Sequence, residues 1–183
     1  MMLGVKMLTV AQSLTIIFSV FGTSVLSGIF GMAGGIILMG VLASFLTVPL
    51  AMTAHGFAQF IANGTRFLSL AKHVDWRGCA YYAAGTAVSA MIFWFVSFTP
   101  SRPLLFLTLG AIPILSLLPW APKLDFQNPR HALVCGFVNT AVHLTAGVSG
   151  SILDLFFVNS KMNRFEIIAT KALTQTLRSE ERR

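Results

Sequence analysis

His55, Gln59, Asn63 and Arg66 recur at intervals of three and four residues in a stretch that is otherwise apolar. At 100° per residue of helix they fall within about 80° of one another and make one polar stripe. Lys171, Gln175 and Arg178 repeat the arrangement near the other end of the chain. Polar groups inside apolar helices cost free energy and tend to face a cavity or a partner helix, so two stripes of donors with positive charge suit a small anion. A structural reading stands beside this one. Gln59 and Asn63 would then bond neighbouring helices, and Arg66 would reach the lipid headgroups along its aliphatic stem.

The glycines point to the same place. Gly31, Gly34 and Gly35, and later Gly147 and Gly150, interrupt apolar stretches. A helix broken near the bilayer midplane leaves backbone N–H groups unpaired, and its positive dipole end can hold an anionic substrate. Gly31 and Gly35 also have the small-xxx-small spacing of close helix packing, so both readings remain. Asn139 and His143 share a helix face, and Asp154 is the only acid inside an apolar run. Asp154 is expected either to pair with Lys161 or Arg164 at a helix end or to join His143 in proton coupling.

Other chemistries find less support. Gly147-Val-Ser149-Gly150 looks like the serine motif of rhomboid-type intramembrane proteases, but that reaction needs a general-base histidine on a later helix. The last histidine is His143, before the serine, and Ala33 stands at the matching position of the first glycine cluster. No enzymatic role is expected. His55, His73, His131 and His143 lack metal-ligand spacing, and no nucleotide cradle is visible, so neither metal nor cofactor is expected. Cys79 and Cys135 form no CxxC pair and read as small packing residues.

The elements that must position these residues follow from composition. Of 183 residues, 55% are apolar and 10% charged, against roughly 25% charged in an ordinary soluble domain, and the mean hydropathy is +0.77. No charged residue occurs in the 59 positions between Lys6 and Arg66, and further uncharged runs cover 78–101, 103–122 and 131–153. Each is long enough to cross a bilayer as helix, which takes about 20 residues. They do not alternate as the strands of a membrane barrel would. The fold class is therefore all-α: a polytopic transmembrane helical protein, residues 1–183 forming one integral membrane domain. Lys6 and the apolar stretch after it resemble a signal peptide, but no convincing cleavage site follows, so the segment is expected to be retained.

Two helices meeting at a glycine break are expected over 7–54, with Pro49 closing the second. Further helices are expected over about 51–70, 78–98 and 103–121, then a polar loop at 122–130, a second broken helix over 131–158 and an amphipathic one over about 165–177. Sliding the chain by 116 positions lays Gly31-Met-Ala-Gly-Gly-Ile36 on Gly147-Val-Ser-Gly-Ser-Ile152 and the His55/Gln59 pair on Lys171/Gln175. This points to an internal repeat, the first copy over about 8–98 and an incomplete second over about 131–177.

The net charge of +7 gathers in the gaps between apolar runs, which fits membrane orientation better than nucleic-acid binding. The loops at 66–77, 123–130 and 159–166 carry seven Lys and Arg, opposite Lys6 and Arg102 if residues 7–50 cross twice. That arrangement predicts an outside N-terminus.

Several of these segments together resemble the TauE/SafE sulfite exporter family. They are Gly28-Ile-Phe-Gly-Met-Ala-Gly-Gly-Ile36, Ala51-Met-Thr-Ala54, Lys72-His-Val-Asp-Trp-Arg77, Gly147-Val-Ser-Gly150 and Arg164-Phe-Glu-Ile-Ile-Ala-Thr170. The resemblance implies a bacterial inner-membrane, multi-pass permease for small anions such as sulfite, sulfonates or organic acids, with the bilayer and the substrate as its partners. It places the substrate near the two glycine breaks and the His55/Gln59 and Lys171/Gln175 faces. Phe30, Met32 and Ala33 interrupt a glycine cluster that is denser in the family. By the 116-residue offset the counterpart of helix 78–98 would begin near position 194, so the chain reads as a member lacking its last one or two helices. Such a chain would be a short permease, a homo-oligomer that completes the fold, or an inactive or accessory membrane subunit.

Overall fold

The computed structural model describes residues 10–30, 33–96, 101–116, 124–148 and 150–179; the break positions Gly31 and Ser149 lie outside them. Eight α-helices follow in order: α1 (Val10–Phe30), α2 (Ala33–Phe45), α3 (Val48–Leu70), α4 (Trp76–Val96), α5 (Arg102–Ser116), α6 (Pro129–Ala146), α7 (Gly150–Phe157) and α8 (Arg164–Ser179). A single 3-10 turn, Ala71–His73, joins α3 to α4. The chain is all-α, as its composition requires, and no strand forms among the described residues.

Local chemistry sets the helix ends. Pro49 opens α3 instead of closing the helix before it, because in the first turn its missing N–H is no loss and its fixed φ is already helical. The Asp75 carboxylate accepts the Gly78 N–H at 3.0 Å to start α4. Asn128 accepts from the Arg130 N–H at 3.0 Å, with Pro129 at the first helical position of α6. At α8 the two ends of a capping box close on each other: Asn163 Oδ1 accepts the Glu166 N–H at 3.0 Å and Glu166 Oε2 accepts the Asn163 N–H at 2.8 Å. α6 ends on Gly147 at φ 75°, a left-handed conformation that favours glycine, and the Gly147 N–H returns to the His143 carbonyl at 2.8 Å.

By its own length and apolarity one helix among the described residues can cross a bilayer, Trp76–Phe95 within α4. Val10–Leu26, Gly34–Phe45 and Arg102–Ala111 are apolar but shorter. Trp76 and Trp94 are exposed near the two ends of α4, about 27 Å apart at 1.5 Å per residue, which matches a hydrocarbon layer of about 30 Å with an aromatic anchor at each interface. Val88, Met91 and Ile92 on α4, like Ile17, Phe18 and Phe21 on α1, are exposed apolar groups. Lipid chains solvate such faces at no hydrophobic cost.

α1 and α2 form a hairpin. Ile16 and Val20 of α1 pack on the cluster that holds Leu38, Leu42 and Ala43 of α2. α2 then runs antiparallel to α3, with Val48 in the same cluster and His55 bonding Gly35. Gly35 also lies against Gln59, so the hairpin's turn sits half-way along the 23-residue α3. α6 and α7 form a second hairpin, based where the Phe126 N–H bonds the Phe156 carbonyl at 2.8 Å, and its turn at Gly147 lies against Met39 and Met52. The two hairpins enter from opposite ends of the molecule. Adding 116 to the last residue of α1 and the first of α3 reaches the last residue of α6 and the first of α8.

α3 and α8 also pack antiparallel. Phe67 and Leu70 meet Ala169 and Leu173, Gly64 faces Thr176, and the Asp75 N–H bonds Thr170 Oγ1 at 3.0 Å. On the far side α4 and α6 run parallel at the closest approach that backbone allows. A Cβ on Gly85 would meet the Leu133 carbonyl, and one on Gly136 would meet the Tyr82 carbonyl.

The basic loops gather at one end. Besides the Phe126–Phe156 bond, the Lys161 N–H reaches Gln127 Oε1 at 3.3 Å and Gly78 packs against Phe126. Arg102 lies at the opposite end. Its guanidinium caps α2, with Nε donating to the Ala43 carbonyl at 3.2 Å and Nη2 to the Leu46 carbonyl at 3.1 Å. A cation over the last carbonyls also complements the helix dipole. Arg102→Ala is expected to cost about 1–2 kcal/mol, lowering the melting temperature in detergent by roughly 2–8 °C for a chain of this size; Arg102→Lys should recover part of the loss.

Candidate functional site

A small open pocket lies at the tip of the first hairpin, lined by Thr23 and Ser24 of α1, Gly34 and Leu38 of α2, and Ala58, Gln59 and Ala62 of α3. Of the stripe expected on α3, Gln59 lines the pocket, tied into a chain of hydrogen bonds. Asn63 Nδ2 donates to Gln59 Oε1 at 3.1 Å, and Arg66 Nη1 reaches Asn63 Oδ1 at 3.5 Å. One turn earlier, His55 Nε2 lies 3.0 Å from the Gly35 carbonyl. Asn63 thus occupies the carbonyl side of the Gln59 amide and turns the NH2 side toward the glycine break.

Glycine at 35 leaves room for that approach. A Cβ there would stand 3.1 Å from Gln59 Nε2 and 3.7 Å from His55 Nε2. Gly34 and Gly35 lie in the first turn of α2, where backbone N–H groups have no carbonyl one turn back and the dipole is positive. The Thr23 hydroxyl donates to the Ser19 carbonyl at 2.6 Å and the Ser24 hydroxyl to the Val20 carbonyl at 2.7 Å, which leaves oxygen lone pairs on the wall. The pocket therefore combines an oriented amide donor and a helix N-terminus, neutral donors of the kind that bind an anion without a buried full charge.

The partner of Asp154 differs from expectation. Asp154 pairs with Lys171, not with Lys161 or Arg164. The eight-residue α7 folds back beside α8 and brings Asp154 to the middle of that helix, while Lys161 and Arg164 stay exposed in and after the loop. Gln175, Thr170 and Thr174 are buried on α8. Arg178 belongs to α8, its side chain outside the described set.

The facing of Gly64 with Thr176 and of Leu70 with Ala169 puts Lys171 level with the last turns of α3, roughly 20 Å along the axis from His55. The two stripes do not close around one cavity. On that register Gln175 is level with the turn of α3 that holds Asn63 and Arg66, and Lys171 lies nearer the basic loops, while His55 and Gln59 face Gly35 of α2.

Gly147 owes its identity to its left-handed φ and to Met39, whose Cε would stand 2.8 Å from a Cβ there. Gly150 opens α7. His143 is buried on α6 in a polar ladder against α4: Asn139 Nδ2 donates to the Tyr82 hydroxyl at 2.8 Å, and Thr140 Oγ1 to Thr86 Oγ1 at 3.1 Å. Sequence reasoning missed this ladder, the pocket hydroxyls Thr23 and Ser24, and the Arg102 cap. Tyr82, Thr86 and Ser89 recur at three- and four-residue spacing in α4, a signal that was available. Nothing in the local sequence ties Arg102 to residues nearly sixty positions away.

An all-helical chain with one helix of membrane thickness fits a helical membrane protein. The family described as sulfite exporter TauE/SafE matches residues 16–177, and the chain belongs to that family of membrane transport proteins. No curated protein and no solved structure matches it.

Proposed function

We propose that the protein is a multi-pass inner-membrane secondary permease that carries sulfite or a similar small sulfonate or organic anion. The observation that carries this reading is the Gln59 amide, fixed by Asn63 with its donor side toward the N-terminus of α2 beside an open pocket. The anion is held there by Gln59 and the first N–H groups of α2. It passes along the α3–α8 interface toward Lys171 and Gln175.

The recurrence of helix bounds at an offset of 116 supports a duplication in which α6, α7 and α8 repeat α1, α2 and α3. Gathering of the basic loops at one end supports a cytoplasmic position for that end, with Arg102 and the start of α1 outside. His143 and Asp154 remain the titratable candidates for coupling to protons.

Sulfite efflux from loaded bacterial cells tests the proposal. Cells expressing the protein should release sulfite faster than cells without it. Gln59→Leu, which keeps the volume and removes the donor, should cut the rate at least tenfold at equal membrane abundance, the loss of one hydrogen bond to a charged ligand being worth about 1.5–3 kcal/mol. Equal efflux from Gln59→Leu and the unaltered protein would remove the pocket from the transport path.

A further inference from the structure

The Lys171–Asp154 pair joins two helices at the end of the α3–α8 interface nearest the basic loops, with Lys171 17% and Asp154 40% exposed. Buried Leu153 and Phe156 flank the acid on α7, and buried Thr170, Ala172, Leu173 and Thr174 flank the base on α8. In the first copy of the proposed duplication the matching positions are Leu38 and His55. There the basic-capable side chain meets a backbone carbonyl, and no acid stands opposite.

A lysine ammonium is a compact point charge that binds one oxyanion strongly in a low-dielectric setting. A carboxylate and a sulfite compete for it on the same terms. Because Asp154 is held on α7, its effective concentration at Lys171 is high, in the millimolar range or above for a tethered group. Any free anion must displace it.

We infer that Asp154 is a built-in competitor of the transported anion: it occupies Lys171 in the empty protein, and substrate binds there by displacing it. This assignment rests on the reading of Lys171 as part of the anion path. The pair makes the site weak by design, since an ammonium without a counter-ion would hold the anion too tightly to let it leave. It also keeps the ammonium neutralised between cycles, so the empty carrier never exposes an unpaired charge in the membrane.

Titration of the purified, detergent-solubilised full chain with sodium sulfite, followed by calorimetry and by the rise in melting temperature, tests the inference. Asp154→Asn should bind sulfite at least tenfold more tightly than the unaltered protein and gain the larger thermal shift. Asp154→Glu should behave as the unaltered protein, and Lys171→Gln should bind no more tightly than the unaltered protein whether or not Asp154 is also replaced by Asn. If Asp154→Asn does not purify folded, Asp154→Ser carries the same expectation. Unaltered protein and Asp154→Asn binding alike, or the variant binding more weakly, overturns the competitor role alone. Absence of sulfite binding to every form, the unaltered protein included, overturns the proposed function and this inference together.

Discussion

Gly136→Val should abolish assembly of the helical core. Gly136 lies where α6 touches the backbone of α4, and a Cβ would occupy the space of the Tyr82 carbonyl while approaching the Thr86 N–H at 3.0 Å. Backbone cannot swing aside as a flexible side chain can. The helices would have to separate along the whole crossing, which breaks the Tyr82–Asn139 and Thr86–Thr140 bonds and leaves buried polar groups in an apolar medium. Overpacking of a tight core costs about 1–3 kcal/mol, and each broken buried bond adds about 1–3 kcal/mol more. The measurement is the yield of monodisperse protein from membranes and its melting temperature. Little or no folded protein is expected, with the same outcome for Gly85→Val, whereas Gly110→Val, at a position with no neighbour within 4 Å, should fold. Folded Gly136→Val with an unchanged melting temperature would contradict the packing described.

Lys171→Gln should slow anion movement at least tenfold while leaving the chain folded. Asp154 is 40% exposed, so water and the basic loops can solvate it once the lysine is gone, and the fold should survive. What disappears is the positive charge at the loop end of the α3–α8 interface. With hydrogen bonds to charged groups worth about 1.5–3 kcal/mol, the initial rate should fall by roughly tenfold to a hundredfold. Lys171→Arg keeps the charge in a planar fork and should retain a measurable part of the rate. A double variant, Lys171→Gln with Asp154→Asn, should fold as well as the unaltered protein and stay as slow as Lys171→Gln, separating loss of the charge from loss of the pair.

The parts of this molecule legible in its sequence are those that depend on local physics. Apolar runs longer than a bilayer is thick dictated helices, and the spacing of His55, Gln59, Asn63 and Arg66 placed them on one face before any packing was known. Glycines 31 to 35 and 147 to 150 marked the turns of two hairpins. Long-range geometry was hidden. Pro49 is compatible with ending one helix or starting another, and only the position of α3 decides between them. Asp154 has basic neighbours in sequence at Lys161 and Arg164, yet its partner is Lys171, because the short α7 doubles back on α8. The spacing of the two stripes says nothing of their relative placement, which the antiparallel register of α3 and α8 sets by bringing Gln175 level with the Asn63–Arg66 turn. Thr23 and Ser24 carry no signal of their own, since hydroxyls inside apolar helices commonly bond the carbonyl one turn back, as these do.

Transport of an anion along the α3–α8 interface is the central claim, and flux in a defined bilayer tests it most directly. Purified protein in sealed liposomes loaded with sulfite, diluted into sulfite-free buffer, should release the anion faster than protein-free liposomes, with the rate sharply reduced in Gln59→Leu and in Lys171→Gln. Release from the unaltered protein no faster than from empty liposomes, or release that both variants leave untouched, would contradict the account.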